Sequence, residues 1–589
     1  MKPVALRRPG RHVPFTLCAL IAILIAGCQA WGQTTELQPG GTVAGALSPG
    51  QTVRYTIDAD ENEFVLGEVD QISVDLNIRI LDPDGEQVGQ FGGLGQGIER
   101  FAGRTSSAGT HTVELSVAGD DGASGSYEIT LLRHEPVATD PGQLADQLMA
   151  RFDGDHTPGA AVQVWRDGST LYSKAYGMAD LTHGIPFTPE TSTNIGSTSK
   201  QFTAFAVMLQ QERGLLDLDD DIRSHIPELP AFAETIQVRH LLTHTSGLRE
   251  FLNLMRMTGR LLNQGDWIDR SEIIDIVQRQ PALQNDPGAE YNYNNTAFGL
   301  AAVIVERTSG QDFHVFMEEN VFGPLGMTAS MVRPSPRAIV PNRSEGYTPS
   351  PSGYRQIGDF GAAVGAGAVY ASVVDLQTWV ENYAAPQVGT RASIDEMMTS
   401  FVLNNGEETG YGYGLSIGEQ GGLKRVSHGG SDVAHRSMLA YYPEIDAGVT
   451  VQSNHAQFNS SVAFELAAAF FKDAMEEEEE QGDAAVGGDQ ADEEAATEPW
   501  QPTEDDLAAF AGRFFSEEIE TFYTFTVDDG DLVRYQRRLG NAELTPGDEE
   551  DNFAGGGTSF AFERDRNGEV IGFYLSSGRT RDVRFGRVR

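Results

Sequence analysis

Residues 194–214 read NIGSTSKQFTAFAVMLQQERG. Ser197 and Lys200 stand three apart where a polar opening gives way to an apolar-rich run, residues 202–212, which Gly214 ends. At the opening of a helix, residues three apart share a face, so the Ser197 hydroxyl and the Lys200 amine are predicted neighbours. A serine hydroxyl is a weak nucleophile without a base beside it. A lysine in an apolar pocket, or beside another cation, can give up its proton and serve as that base. A helix start also offers backbone N–H groups near a reacting carbonyl. The spacing alone is common by chance, and an N-cap serine on a surface helix is its plain reading.

Two more polar clusters follow. Tyr293-Asn294-Asn295 comes after Pro287-Gly288, and His428-Gly429-Gly430-Ser431 precedes two strand-like runs at 437–442 and 448–453. Each is ordinary by itself, a loop tyrosine and a glycine turn. In this order and at these separations, the three clusters resemble the signature motifs of the serine β-lactamase and penicillin-binding-protein superfamily. The Y-x-N form of the middle motif is that of the class C β-lactamase and esterase branch. The surrounding text agrees: TIQVRHLLTHTSGL at 235–248, PGAEYNYNNTAFGLAAVIVE at 287–306 and GAGAVYASVVDLQTW at 365–379. The resemblance covers residues 142–475.

It implies an α+β fold, an antiparallel sheet with helical cover, and acyl-enzyme chemistry. Ser197 would attack the carbonyl, Lys200 and Tyr293 would share the proton, and which of them is the formal base stays open. Asn295 would hold Lys200 or orient the acyl group, and His428 would line the site from its strand. Gly429 and Gly430 would let substrate lie against that strand, and the N–H groups of Ser197 and Ser431 would form the oxyanion hole. One position departs from the pattern. The third motif usually opens with a lysine that meets the substrate carboxylate, and here it opens with His428, mostly neutral near pH 7. The expectation is therefore an esterase or D-amino-acid peptidase of small substrates, with β-lactamase activity weak or absent. A β-lactamase, a D-Ala-D-Ala carboxypeptidase and a catalytically dead envelope binding protein are the competing readings.

At 589 residues the chain needs more than one core. Its net charge of −43 argues against a nucleic-acid partner and against basic adsorption to anionic lipid. Lys2, Arg7, Arg8 and Arg11 precede the apolar run 15–26, too short to span a bilayer, so residues 1–27 read as a signal peptide. The run ends Ile25-Ala26-Gly27-Cys28, which resembles a lipobox, with Cys28 lipidated and the protein exported to the cell envelope or periplasm. Ordinary cleavage near Ala30 is the alternative. Cys18 and Cys28 are the only cysteines, so no disulfide framework remains.

Alternating runs at 35–134 read as a β-sandwich and resemble the pre-peptidase C-terminal accessory domain. The glycines at 92–97 read as a turn, not a nucleotide loop. Residues 476–499, acidic and rich in Ala and Gly, read as a disordered linker. Residues 500–589 read as a small β-barrel-like domain. His240 and His244, four apart on an expected helix, and the acidic stretch 217–221 read as structural rather than metal-binding. No metal or cofactor is expected; the partner is a small-molecule or peptide substrate.

Overall fold

The computed structural model describes residues 34–119, 122–268, 270–358, 364–476 and 500–588. The signal segment with Cys28, and nearly all of the acidic stretch 476–499, lie outside the described residues. Two compact units are formed, Met1–Pro136 with Pro351–Gly353, and Val137–Ser350 with Tyr354–Arg589. Among the described residues no helix is long and apolar enough to cross a membrane.

In the first unit, Thr52–Ala59 and Gly109–Val117 sit at the centre of a five-stranded sheet, and Gly125–Pro136 and Glu63–Gln71 at the centre of a four-stranded one. Alternate residues of both sheets, among them Ile57, Val69, Leu76, Ile78, Phe101, Leu115 and Ile129, fill one core. Tyr55 and Tyr127, one from each sheet, meet hydroxyl to hydroxyl inside it at 2.7 Å. This is a β-sandwich, built as period-two alternation demands. One strand starts later than residue 72: Ile72 is exposed and the strand is Leu76–Leu81. In the glycine run at 92–97, the N–H groups of Gly92, Gly93 and Leu94 all point to the Glu99 carboxylate (3.0, 2.9 and 3.3 Å), so an anion of the chain itself already occupies that turn.

The second unit is organised by a six-stranded antiparallel sheet. In spatial order its strands are Ser169–Tyr176, Ala160–Arg166, Ala447–Ser453, His435–Tyr442, Leu423–Asp432 and Ser416–Gln420. The first hairpin of the unit thus pairs with its last strands, Ala160 opposite Ser453 and Arg166 opposite Ala447. The intervening chain supplies the helical cover. Lys200–Glu212 is buried from Lys200 to Gln210, which is why its apolar residues are not confined to one stripe. It packs beside Asn295–Ser309, whose N-cap Asn294 accepts the Ala297 N–H and whose end is closed by Gly310 at φ +72°.

From residue 512 eight strands, Gly512–Ser516 through Thr580–Val588, close into an antiparallel barrel. Its interior is filled by Phe514, Phe525, Phe560, Phe562, Phe573, Phe585 and Tyr523. Barrel and helical residues belong to one hydrophobic cluster, so the barrel is packed into the core of the sheet-and-helix domain rather than strung from it. Polar ties fix the join. Arg249 pairs with Glu518 at 3.2 Å, and the Tyr523 hydroxyl donates to the Met257 carbonyl at 2.9 Å.

Candidate active site

Ser197 lies in a single 3₁₀ turn, Gly196–Ser199, and Lys200 is the first residue of the α-helix that follows. A 3₁₀ turn eclipses residues three apart, which places the amine against the hydroxyl more directly than a regular helix would. Lys200 Nζ is fully buried, 3.0 Å from Ser197 Oγ, 2.7 Å from Asn295 Oδ1 and 2.9 Å from the Ala366 carbonyl oxygen. Two of these partners are pure acceptors. A neutral amine has two N–H groups for them and one lone pair, and that lone pair then faces the serine hydroxyl. Burial pushes the Lys200 pKa well below that of an ordinary lysine; Glu250 opposes this and Arg579 reinforces it.

The turn is clamped to the third motif. Ser437, opposite Gly430 in the sheet, donates to the Ile195 carbonyl at 2.8 Å, and Thr198 Oγ1 donates to the His428 carbonyl at 3.1 Å. Gly430 has no alternative: a Cβ there would overlap the Ile195 carbonyl oxygen. Gly196 has φ +51°, and a Cβ on it would lie 2.7 Å from the Ser431 nitrogen. The backbone of Ser431 therefore runs against the turn that carries Ser197. Gly430 is required by this packing, a reason different from the substrate access its motif implied. A Cβ on Gly429 would press closest on the flexible end of Met438, at 3.1 Å.

Lys200 Nζ stands 4.7 Å from the Tyr293 ring centroid. Burial raises the tyrosine well above its ordinary pKa, the Ser197 side chain and the Arg579 charge acting against that. The geometry thus brings Ser197, Lys200, Tyr293 and Asn295 together. Asn295 holds Lys200. Its Oδ1 faces the amine while its Nδ2 donates to Glu250 at 3.2 Å, which fixes the orientation of the amide.

His428 belongs to a one-way hydrogen-bond chain. The N–H of Asn294 donates to His244 Nδ1 at 2.9 Å, so neutral His244 carries its proton on Nε2 and donates it to the Tyr411 hydroxyl at 3.2 Å. Tyr411 then donates to His428 Nε2 at 2.9 Å, and His428 Nδ1–H donates to the Gly429 carbonyl at 2.7 Å. No place for a second proton remains. Burial and the nearby Lys200 accordingly hold the His428 imidazole down to about 3. Its neutrality, expected near pH 7 from the ordinary value, is enforced by the fold.

His244 is not on a helix with His240. The helix is Val238–Leu242, and His244 follows it in a turn at φ +60°. Among the described residues no three His, Cys, Asp or Glu side chains gather as a metal site would require. The acidic stretch at 217–221 spends its carboxylates on local N–H groups, Asp217 on Asp219 and Asp221 on Arg223.

Five participants carry no motif: the Ala366 carbonyl, Glu250, His244, Tyr411 and Arg579. Glu250, 1% exposed, caps the helix Phe251–Met257 and receives both the N–H and the side-chain amide of Asn295. Arg579 arrives from the barrel, its guanidinium carbon 4.6 Å from the Tyr293 ring centroid.

Residues 143–473 match the profile of the Beta-lactamase family, more than half of the chain. The chain belongs to that family. D-aminopeptidase from Gluconobacter oxydans is 28% identical over 323 residues, which cover 55% of this chain and 60% of that protein. Penicillin-binding protein 4* from Bacillus subtilis is 26% identical over 304 residues, 47% of this chain and 63% of its own length. The family member therefore spans less than two thirds of the curated relatives it matches. An octameric penicillin-binding protein homologue from Pyrococcus abyssi shares the fold, with a TM-score of 0.50 at 24% identity over 76% of this chain and 99% of its own.

Proposed function

We propose that this chain is a serine hydrolase that cleaves small amides, peptides or esters through an acyl-enzyme on Ser197, with β-lactam turnover weak or absent. The observation that carries this is the Lys200 environment: two carbonyl acceptors and one hydroxyl around a buried amine. Lys200 takes the Ser197 proton as Oγ bonds to the substrate carbonyl carbon. The oxyanion is met by the N–H groups of Ser197 and Ser431, each such donor being worth about 3–4 kcal/mol in related chemistry. Collapse breaks the carbon–nitrogen or carbon–oxygen bond, and the proton returns to the leaving group through Tyr293. Water then releases the acid by the reverse route. The neutral His428, where a lysine would meet a β-lactam carboxylate, supports the preference for other acyl donors. The names of the relatives, D-aminopeptidase among them, favour amides of D-amino acids.

The experiment is a fluorophosphonate probe followed by a panel of p-nitrophenyl esters, D-amino-acid amides and a chromogenic cephalosporin, on wild type and Ser197→Ala. Labelling lost in Ser197→Ala, with esters or amides outpacing the cephalosporin, is expected. Absence of Ser197-dependent labelling would point instead to a binding protein. Export rests on the basic and apolar opening of the sequence, and lipidation on Cys28. Mass spectrometry of the mature N-terminus reads both: a diacylated Cys28 supports the anchor, and a start near Ala30 removes it.

A further inference from the structure

Arg579 is the second residue of a two-residue hairpin turn between the last two strands of the barrel, Val570–Ser577 and Thr580–Val588, with Gly578 before it at φ +53°. Such a turn wants glycine first and leaves the second position free for a side chain with a task. The turn is fixed to the hydrolase domain by hydrogen bonds to the Arg579 carbonyl and the Thr580 hydroxyl. The Arg579 carbonyl accepts from Asn292 Nδ2 and Gln284 Nε2, both at 3.1 Å, and Thr580 Oγ1 receives the Glu250 N–H at 3.1 Å.

Neighbouring arginines are committed. Arg581 pairs with Glu290 at 2.7 Å and Arg249 with Glu518. Arg579 is not: its side chain is exposed, it lies on the Tyr293 ring, and among the described residues no carboxylate comes within ion-pair distance of it. In a chain with 85 acidic and 42 basic residues, a guanidinium left without a carboxylate over the Tyr293 ring calls for an anion from elsewhere. Lys200 is enclosed by its three partners, and His428 carries no charge. Arg579 is thus the one cation of the described site with donors to spare.

The geometry points to Arg579 as the residue that receives a carboxylate of the substrate, through a forked pair of N–H donors. This rests on the reading of Ser197 as an acylating nucleophile. Because Arg579 lies on Tyr293, the side chain proposed to return the proton to the leaving group, the carboxylate belongs to the leaving-group side of the scissile bond. The Arg579 charge comes from the barrel and stands on Tyr293, not at the third-motif position of His428, so the contact a third-motif lysine makes with a β-lactam carboxylate is not restored by it. The substrate class is then an acyl compound, peptide or depsipeptide, whose leaving portion bears a carboxylate. A free ammonium at that end would be repelled.

Two activated esters test it, independently of the natural acyl group: N-acetyl-D-alanine esterified to 3-carboxyphenol or to neutral 3-carbamoylphenol. The readout is the ratio of kcat/KM for the acid over the amide, measured on the full chain for wild type, Arg579→Ala, Arg579→Lys and Arg579→Glu. The expected ratio in wild type exceeds ten, falls by about 10- to 100-fold in Arg579→Ala, the range for a charge-assisted pair, recovers partly in Arg579→Lys and inverts in Arg579→Glu. A wild-type ratio near one, or an equal fall for both esters in Arg579→Ala, overturns it, the latter because Arg579 would be acting on Tyr293. Fluorophosphonate labelling of Ser197 in every variant separates the two readings. Labelling with no change of ratio sinks only the carboxylate, whereas loss of labelling in wild type sinks the acyl-enzyme itself.

Discussion

Arg249 and Glu518, each with a side chain 5% exposed, pair at 3.2 Å where the hydrolase domain meets the barrel. Arg249 also donates to the Arg581 and Asp582 carbonyls, so it holds the strand that follows the Arg579 turn. Burial raises the Glu518 pKa in spite of the arginine beside it, which shows how much desolvation the pair has to offset. Removing one partner strands a buried charge, at a cost of about 3–5 kcal/mol. Glu518→Ala is expected to lower the unfolding free energy by that amount, read as a lower urea midpoint at unchanged m-value. The double variant Arg249→Met with Glu518→Leu should recover most of it.

On the proposed mechanism Lys200 accepts the Ser197 proton and must be neutral to do so, so activity should rise with pH along a limb set by its depressed pKa. A pH profile of kcat/KM on a neutral ester is expected to reach its plateau well below the 10.5 of an ordinary lysine. Glu250 holds that pKa up, so Glu250→Gln should move the limb to lower pH. Lys200→Arg, which cannot lose its proton, should cost about 10²–10⁴-fold in kcat.

Tyr411 passes the hydrogen-bond chain from His244 to His428, and its hydroxyl is buried. Tyr411→Phe leaves a buried donor and a buried acceptor unpaired. A stability loss of about 1–3 kcal/mol is expected by denaturant titration. Weaker restraint on His428 should also appear as a changed imidazole signal in NMR.

Acid should unfold this chain early. His428 and His455 are held down to about 3 and His240 to about 4, chiefly by burial. Each depressed value means that the unfolded state binds the proton first. The stability they support is therefore complete above about pH 6.5 and is lost as pH falls towards 3. Scanning calorimetry should show Tm falling from pH 6.5 to 4, and His455→Gln should flatten that slope.

The candidate cluster was legible as a grouping because its members are local or repeated in motif: Ser197 and Lys200 share one turn, and Tyr293 and Asn295 bracket a helix start marked by Asn294 and, at its far end, Gly310. The C-terminal barrel was legible from alternation in part of its eight strands. Two things were not. The uniformly buried helix Lys200–Glu212 has no stripe from which to tell its inner face. Arg579 is joined to Tyr293 only by tertiary packing, and a surface arginine in a hairpin turn looks like any other. His244 was misplaced on a helix because its positive φ, stabilised by the Asn294 and Asn292 N–H groups, leaves no trace in an ordinary-looking HLLTH.

The pairing of the first hairpin with the last strands of the sheet has a kinetic consequence. Ser453 Oγ donates to the Gly159 carbonyl across 294 residues, and the nucleophile turn is clamped by Ser437 and His428 from the same late segment. Contacts between such distant segments form slowly, because the loop between them has to be closed first. Helix formation in a refolding chain should therefore run ahead of the ability to be labelled at Ser197, which would be acquired as one of the final events.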